Sequence, residues 1–226
     1  MGVLLCIETS TKNCSISLWD GRHMVASKSE RGERFIHGER LHVLIKELLK
    51  ESSVDFDMLD GVCVGKGPGS YTGLRIGVST AKGLCYAAGK PLYSVPTLGC
   101  FDFSSCTTPY VITVLDARRD EVYAQVWRSS ESGVLPEGSV EAVIISDESW
   151  KALQRESVTV VGEGAIKIGQ FMTKVPADWQ LQANSYPDAK YMGQHLTNLP
   201  KAEDVAYFEP YYLKDFVAEK SKKKFF

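Results

Sequence analysis

Gly61-Val-Cys-Val-Gly65-Lys-Gly-Pro-Gly-Ser70-Tyr-Thr-Gly-Leu-Arg-Ile-Gly77-Val-Ser-Thr-Ala81-Lys-Gly83, carried on to Ala88 and then to Leu92-Tyr-Ser-Val95-Pro96, is the stretch whose reading decides the fold. A short apolar run bounded by glycine reads as a buried strand, and the glycine-rich turn after it opens a helix over about Thr72 to Ala88. Leu92–Val95 is a second strand, closed by proline. A strand, a helix and a strand in succession are a crossover unit, which demands a parallel pair in a sheet. Upstream, residues 3–8 form an apolar run, residues 13–19 alternate, and residues 22–28 follow Asp20-Gly21, a hairpin signal. Between 36 and 51, Leu41, Leu44, Ile45, Leu48 and Leu49 recur at helical spacing on one side. The first hundred residues therefore predict a mixed sheet with helical crossovers, an α/β fold.

After the polar stretch Ser104–Pro109 the pattern partly restarts. Strands are predicted at Tyr110–Leu115, Glu121–Trp127, Ser139–Ile144 and Val158–Val161, with helices at Asp147–Leu153 and Pro187–Leu199. Two related half-patterns suggest two lobes, residues 1–104 and 105–210, with 211–226 as a tail.

The chain has 226 residues, enough for two lobes that each bury a core. Its 26 Lys+Arg against 28 Asp+Glu leave a formal charge of -2. That lacks the general basic excess a nucleic-acid binder uses, so any RNA substrate is expected to be held mostly by another chain. Cys6, Cys14, Cys63, Cys85, Cys100 and Cys106 form no C-x-x-C pair and several lie in apolar segments, which reads as reduced and structural. The opening run Val3–Ile7 is too short for a secretion signal and lacks a basic lead-in, so a cytoplasmic location is expected.

A glycine-rich turn between strand and helix can cradle phosphate with backbone N–H groups. Neither G-x-x-x-x-G-K-[ST] nor G-x-G-x-x-G fits residues 65–77, however. The helix that follows carries small residues at Gly73, Gly77, Thr80 and Ala81, with Gly83 and Ala87 on a neighbouring face. Gly77 and Gly83 together forgo roughly 2 kcal/mol of helix stability, so close approach by another element must offset them. That element is either the lobe's own sheet or a partner chain. His37 and His42 stand five residues apart, about 140° around a helix, which argues against joint metal ligation and leaves a solvated helix face as the plainer reading. Glu8-Thr9-Ser10 at the end of the first strand is a weak signal for a magnesium–nucleotide site. Asp116 in Asp116-Ala-Arg-Arg-Asp-Glu121 reads as a turn residue bonding backbone N–H groups. Lys220, Lys222, Lys223 and Lys224 read as a solvated basic tail.

The run Gly67-Pro-Gly-Ser-Tyr-Thr-Gly-Leu-Arg-Ile-Gly77 with Ala81-Lys-Gly-Leu84 resembles the hallmark segment of the bacterial TsaB (YeaZ) family, formerly called glycoprotease-like. Supporting matches are Ile7-Glu-Thr-Ser10, His37-Gly-Glu-Arg-Leu41, Val95-Pro-Thr-Leu98, Leu115-Asp-Ala-Arg-Arg119, Tyr186-Pro-Asp-Ala189 and Pro210-Tyr-Tyr-Leu213. Glu8 stands where many relatives carry Asp, and Gly38 where Ser is frequent. The resemblance implies a two-lobed, actin-like ATPase (ASKHA) fold with a reduced second lobe. It also implies a non-catalytic subunit, without cofactor or metal of its own, that supports TsaD in forming N6-threonylcarbamoyladenosine at position 37 of tRNA. Implied partners are TsaD in a heterodimer, a TsaE-type ATPase through the complex, and tRNA mainly through TsaD, with homodimerisation in isolation and no membrane. The family's subunit contact falls on the first two helices of lobe one, which assigns Leu41, Leu44, Leu48, Gly73, Gly77, Thr80, Ala81 and Leu84 to partner binding. Two other classes compete: an ATP-dependent kinase-like phosphotransferase using Glu8, Thr9 and the glycine turn, and a metalloprotease, for which the zinc helix is missing.

Overall fold

Two five-stranded sheets carry the structure, and their strands are connected in the same way. The computed structural model describes residues 2–131, 133–196 and 201–214. In the first sheet β1 (Val3–Glu8), β2 (Asn13–Asp20) and β3 (His23–Arg31) form an antiparallel meander. Helix α1 (His37–Glu51) then crosses to β4 (Leu59–Gly65), and α2 (Tyr71–Ala88) to β5 (Leu92–Val95), both strands parallel to β1. The sheet order is β3-β2-β1-β4-β5. In the second sheet β6 (Tyr110–Asp116), β7 (Glu121–Ser130) and β8 (Gly133–Ile144) repeat the meander. β9 (Val158–Val161) and β10 (Trp179–Gln182) repeat the parallel pair, so the order β10-β9-β6-β7-β8 is the first sheet's read backwards. This is the two-lobed, actin-like α/β architecture the resemblance implied.

The second lobe is reduced in its helices. The predicted helix at 147–153 is only a 3-10 turn over Lys151–Leu153, while α3 (Ala165–Phe171), one short helix after β9, escapes a periodicity reading because it is barely two turns long. Over its described residues the predicted helix at 187–199 is likewise a 3-10 turn, Ala189–Tyr191, followed by α4 (Gly193–Leu196), and 197–199 lie outside the described residues. A Cβ at Gly193 would overlap the Trp19 indole, so this segment is shaped by its contact with β2 rather than by helix propensity.

α1 and α2 cover one face of the first sheet. Leu41, Leu44, Ile45 and Leu48 from α1 meet Val78, Ala81 and Cys85 from α2 over Leu5, Ile7, Ile16, Leu18, Val62 and Val64. Each leucine buried in this way contributes about 2 kcal/mol, which is what holds α1 in the absence of a side-chain N-cap. The opposite face is closed by chain that returns after the second sheet. Ala189, Met192 and Leu196 pack on Leu4, Cys6, Cys63 and Val95, and the Ser17 hydroxyl donates to the Ala189 carbonyl at 2.8 Å. All six cysteines are free thiols, five of them buried. No helix among the described residues is long and apolar enough to cross a membrane.

Candidate functional site

The end of β1, the glycine turn and the start of α2 meet at Glu8-Thr9-Ser10. Glu8 is fully buried. Its carboxylate accepts the Ser10 N–H at 2.6 Å and the Thr97 hydroxyl at 3.0 Å, and Thr97 Oγ1 in turn accepts the Gly67 N–H at 3.1 Å. Burial pushes the Glu8 carboxyl above the usual carboxylate range, opposed by these hydrogen bonds. Gly65 is glycine because a Cβ there would overlap Glu8 Oε2.

The amides of the turn are likewise spent on neighbours. Lys66 N–H donates to the Val95 carbonyl at 2.9 Å and Ser70 N–H to the Ser10 carbonyl at 2.7 Å. Phosphate binding by this turn gains no support, since the Lys66, Gly67 and Ser70 amides already bond Val95, Thr97 and Ser10. The same geometry speaks against the nucleotide reading of Glu8-Thr9-Ser10: a fully buried carboxyl already bonded to Ser10 and Thr97 is no seat for a solvated magnesium ion.

Thr9 explains the small residues of α2. Its hydroxyl donates to the Gly73 carbonyl at 2.9 Å; a Cβ on Gly73 would overlap the Thr9 carbonyl oxygen, and one on Gly77 would overlap Thr9 Oγ1. Helix α2 thus crosses the end of β1 with its backbone against Thr9. Of the residues assigned to a partner, Leu41, Leu44, Leu48, Gly73, Gly77, Thr80 and Ala81 are buried inside this lobe, and Leu84 is half-buried against the same core. This corrects the sequence reading: the element that offsets Gly77 is the chain's own β1 end, and the stripe side chains are not presented outward. What α1 and α2 do expose is a different row, His42, Val43 and Lys46 on α1 and Thr72, Ser79, Gly83 and Tyr86 on α2. Tyr86 is 84% exposed, and a Cβ added to Gly83 meets nothing within 4 Å.

His37 also departs from expectation. It is fully buried, with its Nε2–H donating to the Thr11 carbonyl at 2.7 Å and Phe35 edge-on at 5.6 Å, while His42 is exposed. Only His42 lies on a solvated face. Burial lowers the pKa of His37, and that of His195, whose Nε2 meets the Gly99 carbonyl at 2.9 Å. Both histidines therefore bind a proton more weakly folded than unfolded. The stability this confers is complete above the unfolded value near 6.5 and is lost as pH falls. The melting temperature should drop between pH 7.5 and 5.5, as the unfolding free energy falls by at most about 1.4 kcal/mol per pH unit for each histidine. His37→Gln should shallow that slope; an unchanged slope would assign the acid sensitivity elsewhere. Among the described residues no three His, Cys, Asp or Glu side chains group as a metal set.

Residues 203–212, which carry no helix or strand pattern in the sequence, strap back over α2 and β5. Glu203 N–H donates to the Leu92 carbonyl at 2.8 Å and its carboxylate accepts the Ser94 hydroxyl at 2.6 Å. Lys82 Nζ donates to the carbonyls of Ala206 and Phe208 at 3.0 and 2.9 Å, and Tyr71 stacks on Tyr212 at 4.8 Å. The Lys220–Lys224 segment lies outside the described residues.

In the second lobe Asp116 bonds backbone as its turn position suggested: Oδ1 accepts the Arg118 N–H at 2.6 Å. It also accepts Lys167 Nζ at 2.7 Å, and Lys167 reaches on to the Glu121 carbonyl at 2.8 Å. Lys167 is buried, and the only hint of it in sequence is a lysine enclosed by Ala165, Ile166 and Ile168. Glu163, facing Asp116, is raised by desolvation first and by that carboxylate second.

A family model described as tRNA N6-adenosine threonylcarbamoyltransferase (TsaD) matches residues 35–207. TsaB of Escherichia coli strain K12, a tRNA threonylcarbamoyladenosine biosynthesis protein, is 31% identical over 229 residues, covering 96% of each chain. The protein of the same name from Haemophilus influenzae is 31% identical over 181 residues and 76% of each chain. YeaZ from Pseudomonas aeruginosa superposes with a TM-score of 0.77 at 26% identity, over 94% of this chain and 100% of that one. A second Pseudomonas aeruginosa crystal structure, of a protein with similarity to peptidase YeaZ, gives 0.79 at 26% identity over 95% and 100%.

Proposed function

The chain belongs to the TsaB (YeaZ) family of tRNA threonylcarbamoyladenosine biosynthesis proteins, and from that membership we propose that it is the non-catalytic subunit that binds and supports TsaD. In this reading TsaD forms N6-threonylcarbamoyladenosine at position 37 of tRNA, a TsaE-type ATPase joins through the complex, and the assembly works in the cytoplasm.

The observation that carries the proposal is the state of Glu8. A kinase-like phosphotransferase needs a solvated carboxylate at this point, and Glu8 is buried and bonded to the Ser10 N–H and the Thr97 hydroxyl, with Gly67 N–H also held by Thr97. Helix α2 is seated beside this point by the Thr9 hydroxyl on the Gly73 carbonyl and the Ser70 N–H on the Ser10 carbonyl, which suits a scaffold that offers a preformed surface. Because the inward stripe is occupied, the partner face is assigned to the outward row of α1 and α2, with Tyr86 as an exposed aromatic anchor of the kind that dominates interface energies.

Expression of the chain in Escherichia coli depleted of its own TsaB is expected to restore threonylcarbamoyladenosine in bulk tRNA, read by mass spectrometry of nucleosides. Purified alone, the chain is expected to show negligible ATPase activity, and turnover abolished by Glu8→Ala would return it to the kinase-like class.

A further inference from the structure

The turn between β6 and β7 has backbone its residues do not favour. Arg118 and Arg119, adjacent and exposed, both take positive φ, 72° and 48°, a region that glycine or asparagine enters at less cost. The turn is held by the Asp116 carboxylate on the Arg118 N–H and by the Glu121 N–H on the Arg118 carbonyl at 3.0 Å. Strain of this kind persists where something else requires the side chains it presents.

Two carboxylates around the turn are already engaged, while Asp120 within it is exposed and forms no ion pair among the described residues. Asp116 holds Lys167, Glu121 pairs with Lys214, and Glu163 is half-buried. Among the described residues Arg118, Arg119 and Lys12 form no ion pair. Lys12, the exposed residue of an otherwise buried β1–β2 turn, is a cation of the first lobe whose charge opposes that of Asp116 at Glu163. Three unpaired cations from two lobes, two of them guanidinium forks, suit a ligand with charge repeated along its length rather than one carboxylate.

We propose that Arg118 and Arg119, assisted by Lys12, contact the phosphate backbone of tRNA, and that the strained turn is kept because it projects both guanidinium groups. This rests on the reading that the chain serves tRNA threonylcarbamoyladenosine synthesis. It adds a direct RNA contact by a subunit whose overall charge of -2 gives no sign of one.

The test uses the full chain in complex with TsaD and, as probe, an in-vitro-transcribed tRNA with unmodified adenosine at position 37, followed by fluorescence anisotropy over a salt series. The double variant Arg118→Asn with Arg119→Gly suits the turn's backbone, so its melting temperature should hold or rise. Its tRNA affinity should fall on the order of 10-fold at low salt, with the slope of log K against log salt shallower by about 2. Arg118→Lys with Arg119→Lys keeps the charge and should retain most of the affinity. Unchanged tRNA binding in the double variant, or no tRNA binding by the wild-type complex, overturns the proposal. Loss of TsaD capture with tRNA binding intact also overturns it, because the arginines would then meet an acidic protein surface. The functional reading fails separately: if the wild-type chain does not restore the modified nucleoside in the depleted bacterium, that reading falls. If wild type and double variant restore it equally and bind tRNA equally, only the phosphate contact falls.

Discussion

Gly77→Leu should destabilise the protein by about 3 kcal/mol, lowering the melting temperature by roughly 10 °C. The position is an interior turn of α2, where exchanging glycine for leucine would by propensity alone add about 0.8 kcal/mol of helix stability. Contact overrides propensity here. A Cβ at Gly77 overlaps Thr9 Oγ1, and Thr9 is fully buried with its hydroxyl bonded to the Gly73 carbonyl at 2.9 Å. The side chain can enter only if α2 lifts from β1 or Thr9 abandons that bond, and either movement opens the core shared by Val78, Ala81 and Leu5. Well-packed interiors resist such shifts. Thermal melts of wild type and variant check the expectation, and a melting temperature within 2 °C of wild type would show that α2 is not seated on Thr9 as described. Partner capture by the variant should fall only in step with its unfolded fraction.

That outcome reverses what the sequence suggests for Gly77, and the reason marks where sequence legibility ends. The stretch 61–95 reads correctly as strand, helix and strand because its signals are local: an apolar run, a glycine turn capped by Ser70 and a left-handed Gly89 closing α2. Asp20-Gly21 likewise marks the β2–β3 hairpin, and the repeated meander foretells a second sheet. The direction a helical stripe faces is not local. Leu41, Leu44 and Leu48 carry the same spacing whether they meet the chain's own sheet or another chain's, and only the position of β1 and β2 beneath them decides. His37 is illegible for the same reason, its burial being set by Thr11 on a distant turn.

The second lobe is less legible because its elements are short. The 3-10 turn at Lys151–Leu153, α3 with 7 residues and β10 with 4 fall below the length at which a period can be recognised. The Arg118-Arg119 turn is illegible in a different way. Residues that ordinarily mark positive φ are absent from it, so its geometry follows from the bonds that Asp116 and Glu121 impose. The Glu8 site was half-read: the residues were singled out, but the carboxyl's closure depends on Thr97 and Gly67, far along the chain.

Gly83→Leu, six residues from Gly77 on the same helix, should do the opposite. Here a Cβ meets nothing within 4 Å, so the leucine costs no packing and the helix gains about 0.8 kcal/mol of propensity. The melting temperature should therefore hold or rise by a few degrees. An interior glycine on an exposed helical face that the chain's own packing does not require is a place where another backbone can come close. If TsaD seats on the outward row of Thr72, Ser79, Gly83 and Tyr86, a leucine at its centre pushes the partner away by a side chain's width. At a cost of about 1–3 kcal/mol, association weakens roughly 5- to 150-fold. Tyr86→Ala, which leaves a residue 84% exposed without its ring, should weaken binding by a similar factor and leave the melt unchanged. The measurement is a titration of TsaD against each variant beside its melting curve. Undiminished binding by both Gly83→Leu and Tyr86→Ala would move the partner face off α2 altogether. Loss of binding in both, set against a Gly77→Leu protein that fails by unfolding, would separate the two sides of one helix, the inner row holding the lobe together and the outer row holding its partner.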